Sequence, residues 1–211
     1  MDYINTGELL LDRKRQSIAL TLIVTFILLG VLCFFYFFAF IPIEGDSMEN
    51  TIHDRQYCFV QRKCNTINSG DIVIIDVSND SEDGHDIIKR VIGVTGDRII
   101  FMFNADNTAV ETYICRRGEN YFKKLDEPYI KEPMTSKNFY YSPMEYNPEL
   151  TTYNLKTIDQ KTYYDLDKKI TTVPEDHIFF LGDNRNVSRD SRYYGVRPIS
   201  KVKYKVLSIV Y

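Results

Sequence analysis

Residues 17–41 run for 25 positions without a charged side chain, from Ser17 through Leu22, Phe26, Val31 and Phe38 to Ile41. As a helix this stretch rises about 37 Å, enough to cross a hydrocarbon core of about 30 Å with some tilt. A cleaved targeting segment has a shorter apolar run, of about 7–15 residues, and ends on small residues. Here the run ends on the bulky Phe37-Phe38-Ala39-Phe40, so the sequence predicts an uncleaved span over 17–41. Arg13, Lys14 and Arg15 precede it, whereas residues 42–61 hold Glu44, Asp46, Glu49 and Asp54 against a single basic Arg55. Basic flanks stay on the cytoplasmic side. The expected organisation is therefore a cytoplasmic N-terminus over 1–16, a plasma-membrane span over 17–41 and an extracytoplasmic domain over 42–211.

That domain reads as mainly β. Short apolar runs between turn residues predict strands at 57–60, 71–77, 85–94, 98–103, 110–115, 178–181 and 202–211. Helical periodicity after the span is weak, and many short strands joined by Gly and Asn/Asp turns predict an antiparallel, barrel-like fold. Residues 104–172 are rich in Tyr, Asn, Thr and Lys and read as an insertion-like set of hairpins and loops; 135–169 has few aliphatic residues and reads as partly mobile.

Composition excludes some partners and cofactors. Lys+Arg 26 against Asp+Glu 29 leaves no broad basic field, which argues against nucleic acid. His53, His85 and His177 are scattered, so no zinc-binding spacing exists. Cys33 lies in the apolar stretch. Cys58, Cys64 and Cys115 have no paired ligand spacing; they read as ordinary thiols, with a Cys58–Cys64 disulfide as the alternative.

Three segments carry candidate chemistry. The first is Gly45-Asp46-Ser47-Met48, just after the span. A serine hydroxyl attacks a carbonyl only when a base removes its proton; without other context Ser47 reads as a turn residue. The second is Ile87-Ile88-Lys89-Arg90-Val91-Ile92-Gly93. An exposed lysine, with a pKa near 10.4, is a poor base, but burial favours the neutral amine. Alternation sends Lys89 and Arg90 to opposite faces without saying which faces inward. The third runs from Gly182-Asp183-Asn184 through Arg185 and Ser188 to Asp190-Ser191-Arg192. There Asp190 can pair with Arg192 or with Arg185, and Ser188 can aim a lysine amine. By composition alone the segment is a polar loop, and His53 is a surface turn residue.

In that order and spacing the three segments resemble the bacterial type I signal peptidases of peptidase family S26, in a Gram-positive-like form. The likeness is strongest at 45–52, 70–75, 89–97 and 182–195 and weak across 104–172. The resemblance implies an SH3-like or coiled β-barrel and a serine endopeptidase that removes signal peptides from exported proteins. It assigns Ser47 as nucleophile, Lys89 as general base and Ser188 as the residue that orients Lys89. Asp183, Asp190 and Arg192 fall on structural and salt-bridge positions. The Ser47 backbone N–H falls in the oxyanion hole, and Gly45 stands where some members place a second hydroxyl donor. The implied substrate is an extended peptide with small residues at the first and third positions before the cut, set against shallow apolar pockets near Ile43, Met48 and Ile88. No cofactor is implied. The family's S-M-x-P-T and K-R-x-x-G-x-P-G-D blocks are departed from at Asn50 and Thr95, each in place of a proline, which is expected to loosen both turns. Competing readings are a processing peptidase for a narrow substrate class, an inactive membrane-anchored binding paralogue, and a Ser-Lys autoprotease of the repressor type, which lacks such a span.

Overall fold

A computed structural model describes residues 6–62, 64, 66–78, 84–104, 108–135 and 170–210. The segment 136–169, read from sequence as loop, lies outside the described residues, as does most of the insertion-like region.

The chain divides into two compact units, residues 1–39 and 40–211. The first is built on helix α1 (Thr6–Phe37). Its Arg13–Phe37 portion is long and apolar enough to cross a membrane, with its side chains unburied by protein. Most of the expected span over 17–41 falls on this helix, which ends earlier than the uncharged stretch does. Residues Phe38–Pro42 form strand β1 instead. Pro42 offers no N–H to continue a helix and pushes the residue before it toward extended backbone. Phe40 is then free to stack on Phe59, 5.0 Å between ring centroids.

The second unit is mainly antiparallel β. Its strands are β2 (Tyr57–Arg62), β3 (Ile72–Asp76), β4 (Asp86–Val94), β5 (Arg98–Phe103) and β6 (Ala109–Cys115). Two-residue strands follow: β7 (Lys123–Lys124), β8 (Met134–Thr135) and β9 (Thr171–Thr172). Then come β10 (His177–Leu181), helix α2 (Ser191–Tyr194), β11 (Arg197–Pro198), a 3-10 turn at Ile199–Lys201 and β12 (Val202–Val210). Seven strands make a curled sheet in the order β1-β2-β12-β3-β4-β10-β11; a second sheet runs β7-β6-β5-β9, with β8 also on β6. The larger sheet is a half-barrel with open edges at β1 and β11. The last strand of the chain, β12, lies inside it, bonded to β2 on one side and β3 on the other.

Both faces of the central strands are buried, which is why they read as continuous apolar runs. On β4 and β10, Val91, Ile178 and Phe180 pack into one cluster with Val73, Ile75 and Val202. Their neighbours Ile92, Phe179 and Leu181 pack into another with Ile99, Phe101 and Ile114, between the two sheets. Burying each such side chain stabilises the fold by about 1.5–3 kcal/mol. A bulge between Phe179 and Phe180 sets Leu181 opposite Arg90, so β10 delivers the Gly182 turn beside Lys89. All four cysteines are free thiols, so the Cys58–Cys64 disulfide is not formed.

Candidate active site

Ser47 sits in a compact turn. Gly45 enters it at φ 93°, a left-handed conformation suited to glycine, and its N–H donates to Asp54 Oδ1 at 2.9 Å. Thr51 and Ile52 N–H groups both donate to the Met48 carbonyl at 2.7 Å. Met48 and Ile52 are fully buried beneath the turn. This leaves Ser47 partly open above an apolar floor.

Strand β4 places Lys89 opposite Val73 of β3. Lys89 is 3% exposed. Its Nζ donates to Ser47 Oγ at 2.6 Å and to the Ile88 carbonyl at 2.7 Å. Burial lowers the Lys89 pKa to about 8; the Asp190 and Asp183 charges push it up and Arg192 pushes it down. At pH 7 roughly a tenth of the amines are then neutral, against fewer than about one in a thousand for an exposed lysine. A neutral amine 2.6 Å from a serine hydroxyl is placed to take its proton.

The 182–192 segment frames this pair. Asp190, fully buried, receives Arg192 through Nε at 2.8 Å and Nη2 at 2.7 Å, and the Gly182 N–H at 3.0 Å. Burial alone would raise the Asp190 carboxyl, but the Arg192 charge and hydrogen bonds outweigh it and hold the group below the usual range. Arg192 is thus the partner of Asp190. Arg185, the sequence alternative, pairs with Glu127 instead. Asp183 takes Arg90 through Nε at 2.9 Å and Nη2 at 2.6 Å, and also accepts the Thr51 hydroxyl. The turn is stitched to the serine loop through Asn184, whose backbone N–H donates to Ser47 O at 3.0 Å and whose Nδ2 donates to Asp46 O at 3.1 Å.

Ser188 behaves differently from the sequence expectation. Its hydroxyl is buried and has no hydrogen-bond partner among the described residues. The Lys89 amine is engaged by Ser47 and Ile88 instead. Ser188 packs on Gly182, where an added Cβ would lie 2.2 Å from Ser188 Oγ and 2.6 Å from the Ser47 carbonyl oxygen. Only glycine fits between the two serines. Of the residues expected to line substrate pockets, Ile43 and Ile88 keep 3% and 7% exposure and Met48 none. His53 lies at the surface against Glu49, as expected of a turn residue.

Neither replaced proline leaves a loose turn. Asn50 Nδ2 donates to the Asp183 carbonyl at 2.8 Å, and Thr95 Oγ1 accepts the Asp176 N–H at 3.1 Å. Each side chain supplies a tether that proline lacks. Sequence reasoning missed Asn50, Thr51, Arg90, Asn184, Glu127 and Tyr129 as contributors, and offered Arg185 to Asp190 rather than to Glu127. For Arg90 a signal existed, since alternation sends it to the face opposite Lys89; for the contacts of Asn50, Thr51, Asn184 and Glu127, which span 58 to 138 residues, there was none.

The family profile described as signal peptidase, peptidase S26, matches residues 15–211. Similar proteins include signal peptidase I of Streptococcus pneumoniae, 29% identical over 167 residues and covering 76% of each chain. Signal peptidase IB of Staphylococcus aureus is 28% identical over 167 residues, covering 78% of this chain and 73% of that one. A solved signal peptidase I from Enterococcus faecalis aligns with TM-score 0.38 at 25% identity, over 69% of this chain and 100% of that one. With the profile spanning both the serine turn and the 182–192 segment, this chain belongs to the peptidase S26 signal peptidase family.

Proposed function

We propose that this chain is a membrane-anchored serine endopeptidase that cuts signal peptides from exported proteins, with Ser47 as nucleophile and Lys89 as general base. The observation that carries the assignment is the 2.6 Å contact between a buried lysine amine and the Ser47 hydroxyl. Ser47 Oγ attacks the carbonyl carbon of the residue before the cut while its proton passes to Lys89 Nζ. The resulting oxyanion is met by the Ser47 backbone N–H. The Lys89 ammonium then protonates the leaving amine, the C–N bond breaks, and the signal peptide is left as an ester on Ser47. Lys89, neutral again, takes a proton from water, the hydroxide attacks the ester, and the proton returns to Ser47.

The Asp183, Asp190 and Arg192 contacts support a structural role for these three residues, and Ser188 lines the buried side of the pair. Ile43 and Ile88, backed by the buried Met48, supply the apolar surface for small side chains of an extended peptide. The basic Arg13–Arg15 flank supports a topology with the N-terminus in the cytoplasm and residues 42–211 outside, at the plasma membrane, where Ser47 follows the span closely in sequence.

The test is cleavage of a precursor with an Ala-x-Ala site by the detergent-solubilised full chain. Wild type cuts, with a rate that rises with pH through about 8 as Lys89 loses its proton. Ser47→Ala and Lys89→Ala, shown folded by calorimetry, lose the activity by at least about a thousandfold. Activity retained by a folded Ser47→Ala variant would refute the nucleophile.

A further inference from the structure

Beside the Ser47–Lys89 pair runs a closed circuit of side chains that the catalytic steps do not use. Arg90 is the residue after Lys89 on β4. Its guanidinium holds both oxygens of Asp183, and its Nη1 donates to the Gly70 carbonyl at 3.0 Å. The ring of Tyr129 lies over that guanidinium, 4.0 Å from its carbon to the ring centroid. The Tyr129 hydroxyl donates to Glu127 Oε1 at 3.0 Å. Glu127 in turn receives Arg185, through Nη1 at 2.9 Å and through Nη2. Arg185 completes the circuit by donating from Nε to the Gly182 carbonyl at 3.0 Å. The Arg185 side chain is 1% exposed and that of Arg90 is 13% exposed.

Two properties of this circuit matter. It links the lysine strand to the Gly182 turn at two points, Asp183 and Gly182, and Gly182 and Ser188 flank the Ser47 carbonyl. Its far side is one short stretch, Glu127-Pro128-Tyr129, from the region least informative in sequence. A cation under an aromatic face is held most firmly when water is kept away from it. The Tyr129 ring therefore helps to fix the Arg90 fork on Asp183.

We propose that Tyr129 and Glu127 are positioning residues for the peptidase reaction, acting through Arg90 and Arg185 to hold the Gly182-Asp183 turn and its carboxylate in place beside the Ser47–Lys89 pair. The inference rests on the peptidase reading above. It concerns a clamp around the pair rather than the pair itself.

The groups bearing on Lys89 are the Ser47 hydroxyl, Asp183, Asp190 and Arg192. The clamp's side chains touch only Asp183 among them; Arg192 meets the clamp at the Arg185 backbone carbonyl, 2.8 Å from its Nη2, and keeps its own side-chain bonds to Asp190. An Asp183 carboxylate no longer neutralised by the Arg90 fork favours the Lys89 ammonium more strongly, and the acidic limb of the pH–rate profile moves to higher pH.

The experiment measures kcat/KM of the full chain in detergent on an Ala-x-Ala peptide, between about pH 6 and 10, for wild type, Tyr129→Leu, Tyr129→Phe and Arg90→Lys. Leucine removes the aromatic face. Phenylalanine keeps it and loses only the bond to Glu127. Lysine keeps the charge of Arg90 and loses the fork. Tyr129→Leu and Arg90→Lys should move the acidic limb up by about one pH unit, a roughly tenfold loss at pH 7 that recovers in alkali. Tyr129→Phe should restore most of the wild-type profile. A uniform loss at every pH, or an unmoved limb in either folded variant, would overturn the positioning role. Loss of cooperative unfolding in both would assign the clamp to fold stability and overturn it equally. Failure of the peptidase reading looks different, because wild type itself would then show no Ser47-dependent cleavage.

Discussion

Lys89 meets two opposed demands. As the proposed base it must give up its charge near neutral pH, and as a buried side chain it weakens the fold whenever it keeps that charge. Its pKa is about 8 in the fold and near 10.5 when exposed. The penalty is therefore full below about pH 8 and fades as pH rises toward the unfolded value. A shift of that size corresponds to about 3 kcal/mol at most. Lys89→Met, which keeps the stem and removes the charge, should abolish cleavage while stabilising the protein by about 1–3 kcal/mol at pH 7, net of its lost hydrogen bonds. Thermal unfolding of both proteins at neutral pH and near pH 10 checks this, and the difference should shrink in alkali. At this scale the sequence was informative for chemistry and silent on orientation. Ser47 and Lys89 were legible as types at a family spacing. Which of Lys89 and Arg90 points inward is not written in β4 alone, and the register that brings the Gly182 turn beside them includes a bulge in β10 that no local pattern announces.

At the scale of elements, the 182–192 segment works as a staple between two distant pieces of chain. Its buried core is the Asp190–Arg192 pair, with side chains 0% and 4% exposed. Asp190→Asn would leave the Arg192 guanidinium buried without its counter-charge. Such a change costs about 3–5 kcal/mol, and urea unfolding at neutral pH should read it as a lower midpoint with an unchanged slope. The same pair fails in acid. Asp190 is held below its usual pKa, so its contribution is full at neutral pH and is lost as pH falls below the ordinary carboxylate range and through its folded value. The longer strands were legible because alternation or a continuous apolar run needs four or more residues to show. β7, β8, β9 and β11 span two residues each, too few to carry a period. β1 was hidden for another reason: its residues are as apolar as the anchor they follow, and only Pro42 marks the change.

For the whole molecule, the mainly β class followed from the sequence, but the strand order did not. Periodicity finds strands without saying which pair, and β12 between β2 and β3 joins residues more than 125 positions apart. Removing residues 202–210 should therefore eliminate the cooperative calorimetric transition rather than shorten an edge, because β1-β2 would be parted from β3-β4-β10-β11. Long-range closure of this kind is slow and comes late. The position of that strand also sets a timetable. Ser47 and Lys89 are both made more than a hundred residues before β12, the strand that holds β2 beside β3. Between those two moments the reacting side chains exist without the sheet that brings them together, so the order of synthesis keeps the pair apart until β12 arrives.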